Sequence, residues 1–378
     1  MRGLVGILGL LLLSIVLWDA FETVILPRHV TRKFRLARLF FRTTWRLWTA
    51  FASRAHSSKR REGYLSYFGP LSMLLLLVFW AAMLMFSFAL LLWASGSAVK
   101  LAGGTPTFRT DVYMSGTTFF TLGMGDVTPG TTLARAITVA EAGTGFGFLA
   151  IMIAYLPTLY GSFSQREVNI SLLDARAGSP PTAGELLRRH GQLRIRDGLA
   201  QYLRDWELWS AQLMESHLTY PFLCFFRSQH DNQSWLAAFT AILDVCAALI
   251  AYGEGETKWQ AQLTFAISRH AVADLSEVLG IKAQSPGADR LPPEDMKKIR
   301  GLLVECGVAP CSETGDLKLK ELRQMYEPHL LALSRLLWMP VPPWGVDAAP
   351  NSSRTVWGRI TSSSPAGPTD DRSHSDHF

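Results

Sequence analysis

"TTFFTLGMGD", Thr117 to Asp126, decides the fold. Two glycines one residue apart follow a threonine and precede an aspartate, and long apolar segments lie on both sides. Glycine reaches left-handed backbone conformations without steric cost. Irregular backbone at membrane depth is tolerated only where protein buries it or where it lines water. Alternating Gly with non-Gly residues lets a strand-like stretch turn successive carbonyls the same way. A row of oxygens on one side is what a cation needs in exchange for its hydration shell.

The flanks put this loop in a membrane. Of the 378 residues, 48% are hydrophobic and only 18% charged, and three segments meet the roughly 20 apolar residues a helix needs to span a bilayer. The first runs from about Leu4 to Leu26 and carries Asp19 and Glu22 near its end. That end, "WDAFETVILPR", has no small-x-small cleavage pattern, so we expect a retained span and not a signal peptide. The second, Leu71 to Ala94, holds no charge. The third, about Leu133 to Phe163, holds Arg135 and Glu141, and Pro157 is expected to kink or limit it.

Residues 28–62 hold eleven Arg or Lys and one acid, Glu62. Cytoplasmic loops retain Lys and Arg, so this block should face the cytoplasm. The first span then runs outside to inside, the second returns, and the third brings everything after about Ser164 to the cytoplasm. The four cysteines, Cys224, Cys246, Cys306 and Cys311, fall in that last part, with no CxxC pair; they read as reduced cytoplasmic thiols. Within the block, "RKFRLARLFFRTTWRLWTAF" interleaves cations with Leu, Phe and Trp. It either lies along anionic lipid headgroups or is a basic loop obeying the topology rule. Asp19 and Glu22 are expected to pair with its arginines. No span carries an arginine ladder of the voltage-sensing kind.

From about Pro180 the texture changes to helical patterns at roughly 184–218, 231–252, 256–280, 293–306 and 315–338. They predict an all-α cytoplasmic domain over 180–340, followed by a Pro-, Ser- and Gly-rich tail, 341–378, expected to be disordered. "WLAAFTAILDVCAALIAY", Trp235 to Tyr252, reads as a buried core helix, or else as a fourth span despite Asp244. His190, His217, His230 and His270 are scattered and read as surface or helix-face residues. No HExxH, GxSxG or phosphate loop supports an enzyme, and a net charge of +6 is too modest to argue for nucleic acid. The expected organisation is a first transmembrane helix (1–27), a basic interfacial segment (28–65), a pore module (66–165), the helical domain and the tail. Within the pore module we expect an outer helix at 71–95, a short pore helix at 110–120 with Thr110 as its cap, the loop 121–126, and an inner helix at 133–160.

This order resembles the two-span pore module of potassium channels. Their filter pattern is roughly T-x-T-T-V-G-Y-G-D with a proline soon after. Thr118, Thr121, Gly123, Gly125, Asp126 and Pro129 match it; Phe120 stands for a threonine, Leu122 for valine and Met124 for the aromatic. The resemblance covers about residues 66–165. It implies an all-α membrane protein, a homotetramer around a pore-loop axis, and a filter lined by the carbonyls of Thr121, Leu122, Gly123, Met124 and Gly125, with Asp126 at the mouth. It implies no cofactor or metal beyond the permeant potassium or other monovalent cation, and a multi-pass place in the cell membrane. Met124 lacks the hydroxyl with which the aromatic braces the filter, so weaker discrimination of potassium from sodium is expected.

Gly143, Gly145 and Gly147 on the inner helix serve either as a bending point or as close-packing positions. Glu141 is the deep acid that needs a role: it faces protein behind the filter or lines the upper cavity. Below, Ile151, Ile153, Tyr155 and Leu156 can form an apolar constriction. The other class of function open to this sequence is a non-conducting membrane-anchored sensor or scaffold with a relic pore loop.

Overall fold

The computed structural model describes residues 2–26, 36–101, 104–192, 196–229, 232–284, 287, 289–305 and 312–345. Helices dominate these residues: α1 (Arg2–Val24), α2 (Leu36–Ala52), α3 (Ser58–Ala94), α4 (Phe108–Phe119), α5 (Thr132–Ala177), α6 (Ala183–Gln192), α7 (Arg196–Thr219), α8 (Trp235–Tyr252), α9 (Gly255–Val278), α10 (Pro293–Glu305) and α11 (Glu313–Leu337). Two three-residue strands, β1 (Val99–Leu101) and β2 (Val127–Pro129), flank α4, and a 3-10 turn covers Pro221–Phe225. The chain divides into two compact units, which interleave in sequence. The first is 1–166 with 212–228 and 277–280; the second is 167–211, 229–276 and 281 onward. Chain order had suggested a simpler split between 165 and 180.

In the first unit, α1 packs along α3. Gly9 has no room for a larger side chain: a Cβ there would sit 3.1 Å from the Ser87 carbonyl, the small-residue contact by which helices approach closely in lipid. Val16, Leu76, Trp80, Leu84, Phe119 and Met152 form the buried core around this pair. The opposite face of α1 is apolar and exposed, with Leu4, Leu8 and Leu11 outward, as a lipid-facing helix should be.

Two of these helices are longer than their apolar runs. α3 starts at Ser58, where the Ser57 hydroxyl accepts from the Arg60 amide at 3.1 Å, and runs straight through Pro70. Its first turns are held by packing: Phe68 is buried against Trp45 of α2, ring centroids 4.7 Å apart. α5 likewise passes Pro157 and continues to Ala177, so of the kink or limit expected at Pro157 the limit does not occur. Met152, Tyr155, Leu159 and Phe163 form one continuous buried face across the proline, and that packing outweighs the missing amide bond.

The second unit is all-α. Its centre is α8, buried everywhere except Ala251. α1, α3, α5 and α8 are all long and apolar enough to cross a membrane, but α8 is enclosed by its own unit and its acid is paired. The Asp244 carboxylate accepts from Arg290 at 2.7 Å and from the Tyr326 hydroxyl at 2.5 Å. Arg290 also reaches Glu327 at 2.9 Å and the Pro342 carbonyl at 2.8 Å. A buried acid with two such donors is a core feature, so α8 is a core helix. The histidines divide by environment. His270 is exposed and pairs with Asp274 at 3.2 Å, the His190 ring lies tilted against Tyr202 at 5.1 Å, and His217 of α7 is fully buried, on a helix face as one of the two expected readings has it but not at the surface. Cys306, Cys311, His230 and the tail beyond 345 lie outside the described residues. Cys224 and Cys246 are buried thiols.

Candidate functional site: the pore loop

α4 is twelve residues long, about 18 Å at 1.5 Å per residue and so roughly half a membrane. Its N-cap is Thr107, one turn earlier than expected, and the Thr107 amide donates to Thr110 Oγ1 at 3.2 Å. The earlier start lets Phe108 dock edge-on against Phe86 and Trp93 of α3, at 6.0 and 5.7 Å. Asp111 is buried in the first turn and accepts from Ser97 Oγ at 2.6 Å, a carboxylate at the positive end of the helix dipole. β1 and β2 pair antiparallel, with Lys100 opposite Thr128. This ladder ties the chain before α4 to the chain after the loop. Three-residue strands carry too little alternation to be read from sequence, and no strand was expected here.

At its other end α4 closes with two paired bonds. The Thr121 amide donates to the Thr118 carbonyl at 2.9 Å, and the Leu122 amide to the Thr117 carbonyl at 2.8 Å. These are the two bonds of a Schellman cap, whose pivot residue is left-handed and usually glycine. Here the pivot is Thr121, with φ 55°, a costly conformation for a β-branched residue. Such strain concentrates at functional sites. Gly123 and Gly125 follow with φ 58° and 79°. Residues 121, 123 and 125 are thus left-handed, while Leu122 and Met124 between them are not. A Cβ on Gly123 or Gly125 would meet nothing within 4 Å, so backbone conformation, not space, demands glycine. Thr121 through Asp126 are all exposed on the isolated chain, and the Tyr113 hydroxyl of α4 donates to the Asp126 carboxylate.

Glu141 of α5 is fully buried and hydrogen-bonded to Ser115 of α4. It therefore faces protein behind the loop. Ser115 Oγ also lies 2.7 Å from the Met85 carbonyl. The three glycines separate. A Cβ on Gly145 would run into the Phe119 carbonyl at the end of α4, whereas one on Gly143 or Gly147 would meet nothing within 4 Å. Gly145 is thus a close-packing glycine. Lower on α5, Ile151 and Ile153 are exposed, but Tyr155 is buried with its ring 5.5 Å from Tyr220. Tyr155 therefore leaves the set expected to form an apolar constriction, because its own chain already covers its ring.

The acids of α1 are also engaged. Asp19 is buried and accepts from the Ala37 amide at the start of α2 (3.1 Å) and from Trp80 Nε1 (3.0 Å). Glu22 accepts from Trp18 Nε1 at 2.6 Å. Among the arginines of the basic block expected as their partners, those at 28, 32 and 35 lie outside the described residues.

One cluster was not foreseen. Arg166 of α5 is buried and donates to the carbonyls of Leu223 (3.1 Å) and Phe226 (3.0 Å) and to His217 Nε2 (3.2 Å). Around it Phe226 meets Phe163 (5.6 Å), Phe225 meets Trp45 (4.9 Å), and Phe222 stacks on Phe41 (5.6 Å). The only hint in the sequence was the aromatic run "YPFLCFF" at 220–226.

Residues 73–160, from the middle of α3 to the middle of α5, match the profile of a family described as "Ion channel". The chain is also similar to the uncharacterized membrane protein YdjJ of Bacillus subtilis (strain 168), 26% identical over 241 residues, covering 62% of this chain and 69% of the relative. No solved structure matches. Residues 73–160 carry a pore-loop module of ion-channel type. With its exposed apolar helices the protein is a multi-pass membrane protein, and its fold is all-α.

Proposed function

We propose that the chain is one subunit of a homotetrameric channel for monovalent cations, of the potassium type but loosely selective. The observation that carries this reading is the left-handed backbone at every second residue, 121, 123 and 125, at the end of a half-span helix. That alternation is what aims peptide oxygens of Thr121, Leu122, Gly123, Met124 and Gly125 to one side. The loop lies at the surface of a single chain, as a wall around a shared axis must. Four copies are needed to surround an ion, and one chain supplies one loop. Asp126 concentrates cations at the outer mouth, and the negative end of α4 favours a cation at mid-membrane. A Cβ on Gly143 or Gly147 would meet nothing within 4 Å, which leaves α5 room to bend there for gating. Glu141 braces α4 from behind. The second unit lies in the cytoplasm, and residues 28–62 face anionic headgroups.

Purified protein in liposomes, loaded for bi-ionic potassium and sodium flux, tests this. Gly123→Ala should abolish flux because it strains the left-handed position, while leaving the protein folded since its Cβ meets open space. Met124→Tyr should shift the reversal potential toward potassium. Wild-type liposomes impermeable to every alkali cation would overturn the proposal in favour of a membrane-anchored sensor.

A further inference from the structure

An apolar groove of about 480 Å³ runs between α2 and α3, within the roughly 300–1,000 Å³ range of small-molecule sites. Leu47, Trp48 and Phe51 of α2 face Phe68, Leu71 and Leu75 of α3 across it. On each helix these positions follow helical spacing, so two apolar stripes meet. They do not close on one another: Leu47 and Phe51 are exposed at 71% and 50%, and Leu71 and Leu75 at 38% and 44%. The polar groups at its walls are already used. Trp48 Nε1 donates to the Tyr64 carbonyl at 2.9 Å, and Ser72 Oγ to the Gly69 carbonyl at 3.0 Å. The interior thus offers contact to hydrocarbon and nothing to a polar ligand. From Tyr64 to Leu75 the α3 wall extends about 16 Å, close to the roughly 15 Å depth of one leaflet's hydrocarbon.

The charge at one end says what kind of hydrocarbon. Just beyond Phe51 and Tyr64 the chain turns through Arg54, Lys59, Arg60 and Arg61, all exposed. Arg61 continues the stripe of Tyr64, Phe68 and Leu75 along α3. Glu62, which follows Arg61, pairs with Arg227 at 3.1 Å. We propose that this groove is a site for one acyl chain of an anionic phospholipid of the cytoplasmic leaflet, its headgroup held by Arg54, Lys59, Arg60 and Arg61. The site rests on the membrane placement of α3 but not on ion conduction, so it can stand or fall separately from the channel reading.

Trp48 in the groove wall is the reporter. Full-length protein is reconstituted in phosphatidylcholine vesicles containing a minor fraction of lipid brominated along the acyl chain, as phosphatidylglycerol or as phosphatidylcholine. The signal is the difference in fluorescence between wild type and Trp48→Phe, which isolates Trp48 from the other tryptophans. Brominated phosphatidylglycerol should quench Trp48 at a concentration at least about fivefold lower than brominated phosphatidylcholine does, the preference a single well-placed cation confers. The preference should vanish in the quadruple variant Arg54→Gln, Lys59→Gln, Arg60→Gln, Arg61→Gln, while quenching by phosphatidylcholine stays. Equal quenching by both lipids would reduce the groove to ordinary lipid contact and overturn the proposal. So would a preference that survives the four substitutions, or no quenching of Trp48 by either lipid, which would mean that protein, such as a second copy, covers the groove. Quenching of no tryptophan at all would instead remove the membrane placement itself.

Discussion

At the scale of single residues, the pore loop is built from conformational demands that are visible one by one. Thr121 carries a left-handed pivot that glycine would carry more cheaply; under the filter proposed above, its side chain adds a hydroxyl to the carbonyl that would face an ion. Gly145 has the opposite reason for being glycine. Its φ is ordinary, but the Phe119 carbonyl occupies the place of a Cβ, and backbone cannot swing aside as a side chain can. Gly145→Ala should therefore push α5 off the end of α4 and cost roughly 1–3 kcal/mol as overpacking does. Gly143→Ala, with nothing in reach, should leave stability unchanged within about 0.5 kcal/mol, or raise it slightly through helix propensity. Thermal unfolding of the two detergent-solubilised variants, read beside ion flux, separates them. Equal behaviour would mean that α5 is not seated on Phe119. The sequence showed three glycines at equal spacing and could not tell them apart, because which face of a helix meets a neighbour is a tertiary fact.

At the scale of elements, the module from outer helix to inner helix was legible, because long apolar runs and a glycine-alternating loop are local signals. The ends of those helices were not. α3 and α5 pass their prolines because buried neighbours hold them, and the sequence does not display those neighbours. The clearest case is the joint at the foot of α5. Arginine only donates hydrogen bonds, so Arg166 facing His217 Nε2 at 3.2 Å requires that nitrogen to be unprotonated. His217 Nδ1 sits 3.1 Å from Ser216 Oγ and can hold the single ring proton. Burial, and after it the Arg166 charge, hold the His217 pKa well below its ordinary value. The unfolded chain has no such restraint and takes up a proton below about pH 6.5. Below that pH the unfolded state binds more protons than the folded one, so stability present at neutral pH is lost as pH falls. The loss can reach about 1.4 kcal/mol per pH unit. The drop in melting temperature between pH 8 and pH 5.5 should be smaller in His217→Gln than in wild type. An identical drop would assign the acid sensitivity to other groups, among them His190 and His329, whose pKa values burial also lowers.

At the scale of the whole molecule, the second unit's helical character was readable from periodicity, and α8 was readable as a core helix because its acid demanded a partner. Which residue would supply that partner was not: Arg290 lies 46 positions away. The interleaving of the two units was the least legible feature, since residues 212–228 belong by sequence to the helical region but by packing to the first unit. This has a direct consequence for dissecting the protein. A chain cut near residue 180 keeps every predicted span, the loop and the inner helix, yet it loses Phe222, Phe225 and Phe226. Those rings fill the space between Phe41, Trp45, Phe68 and Phe163, and Phe226 lies so close to Gly69 that a Cβ there would sit 2.6 Å from the ring. Arg166 would also be left with its guanidinium stripped of two carbonyl acceptors. Removing one buried Phe costs about 3–5 kcal/mol; removing the buried Phe222 and Phe225 together with the half-buried Phe226, with a buried cation orphaned, consumes most of the usual margin of about 5–15 kcal/mol. The truncated chain should fail to give a stable, flux-competent oligomer, and the full-length triple variant Phe222→Ala, Phe225→Ala, Phe226→Ala should fail in the same way although its second unit is intact. Size-exclusion profiles and liposome flux of the two proteins, compared with wild type, decide it. A cut chain that assembles and conducts normally would show that residues 212–228 merely rest against the first unit, and that the pore module stands without them.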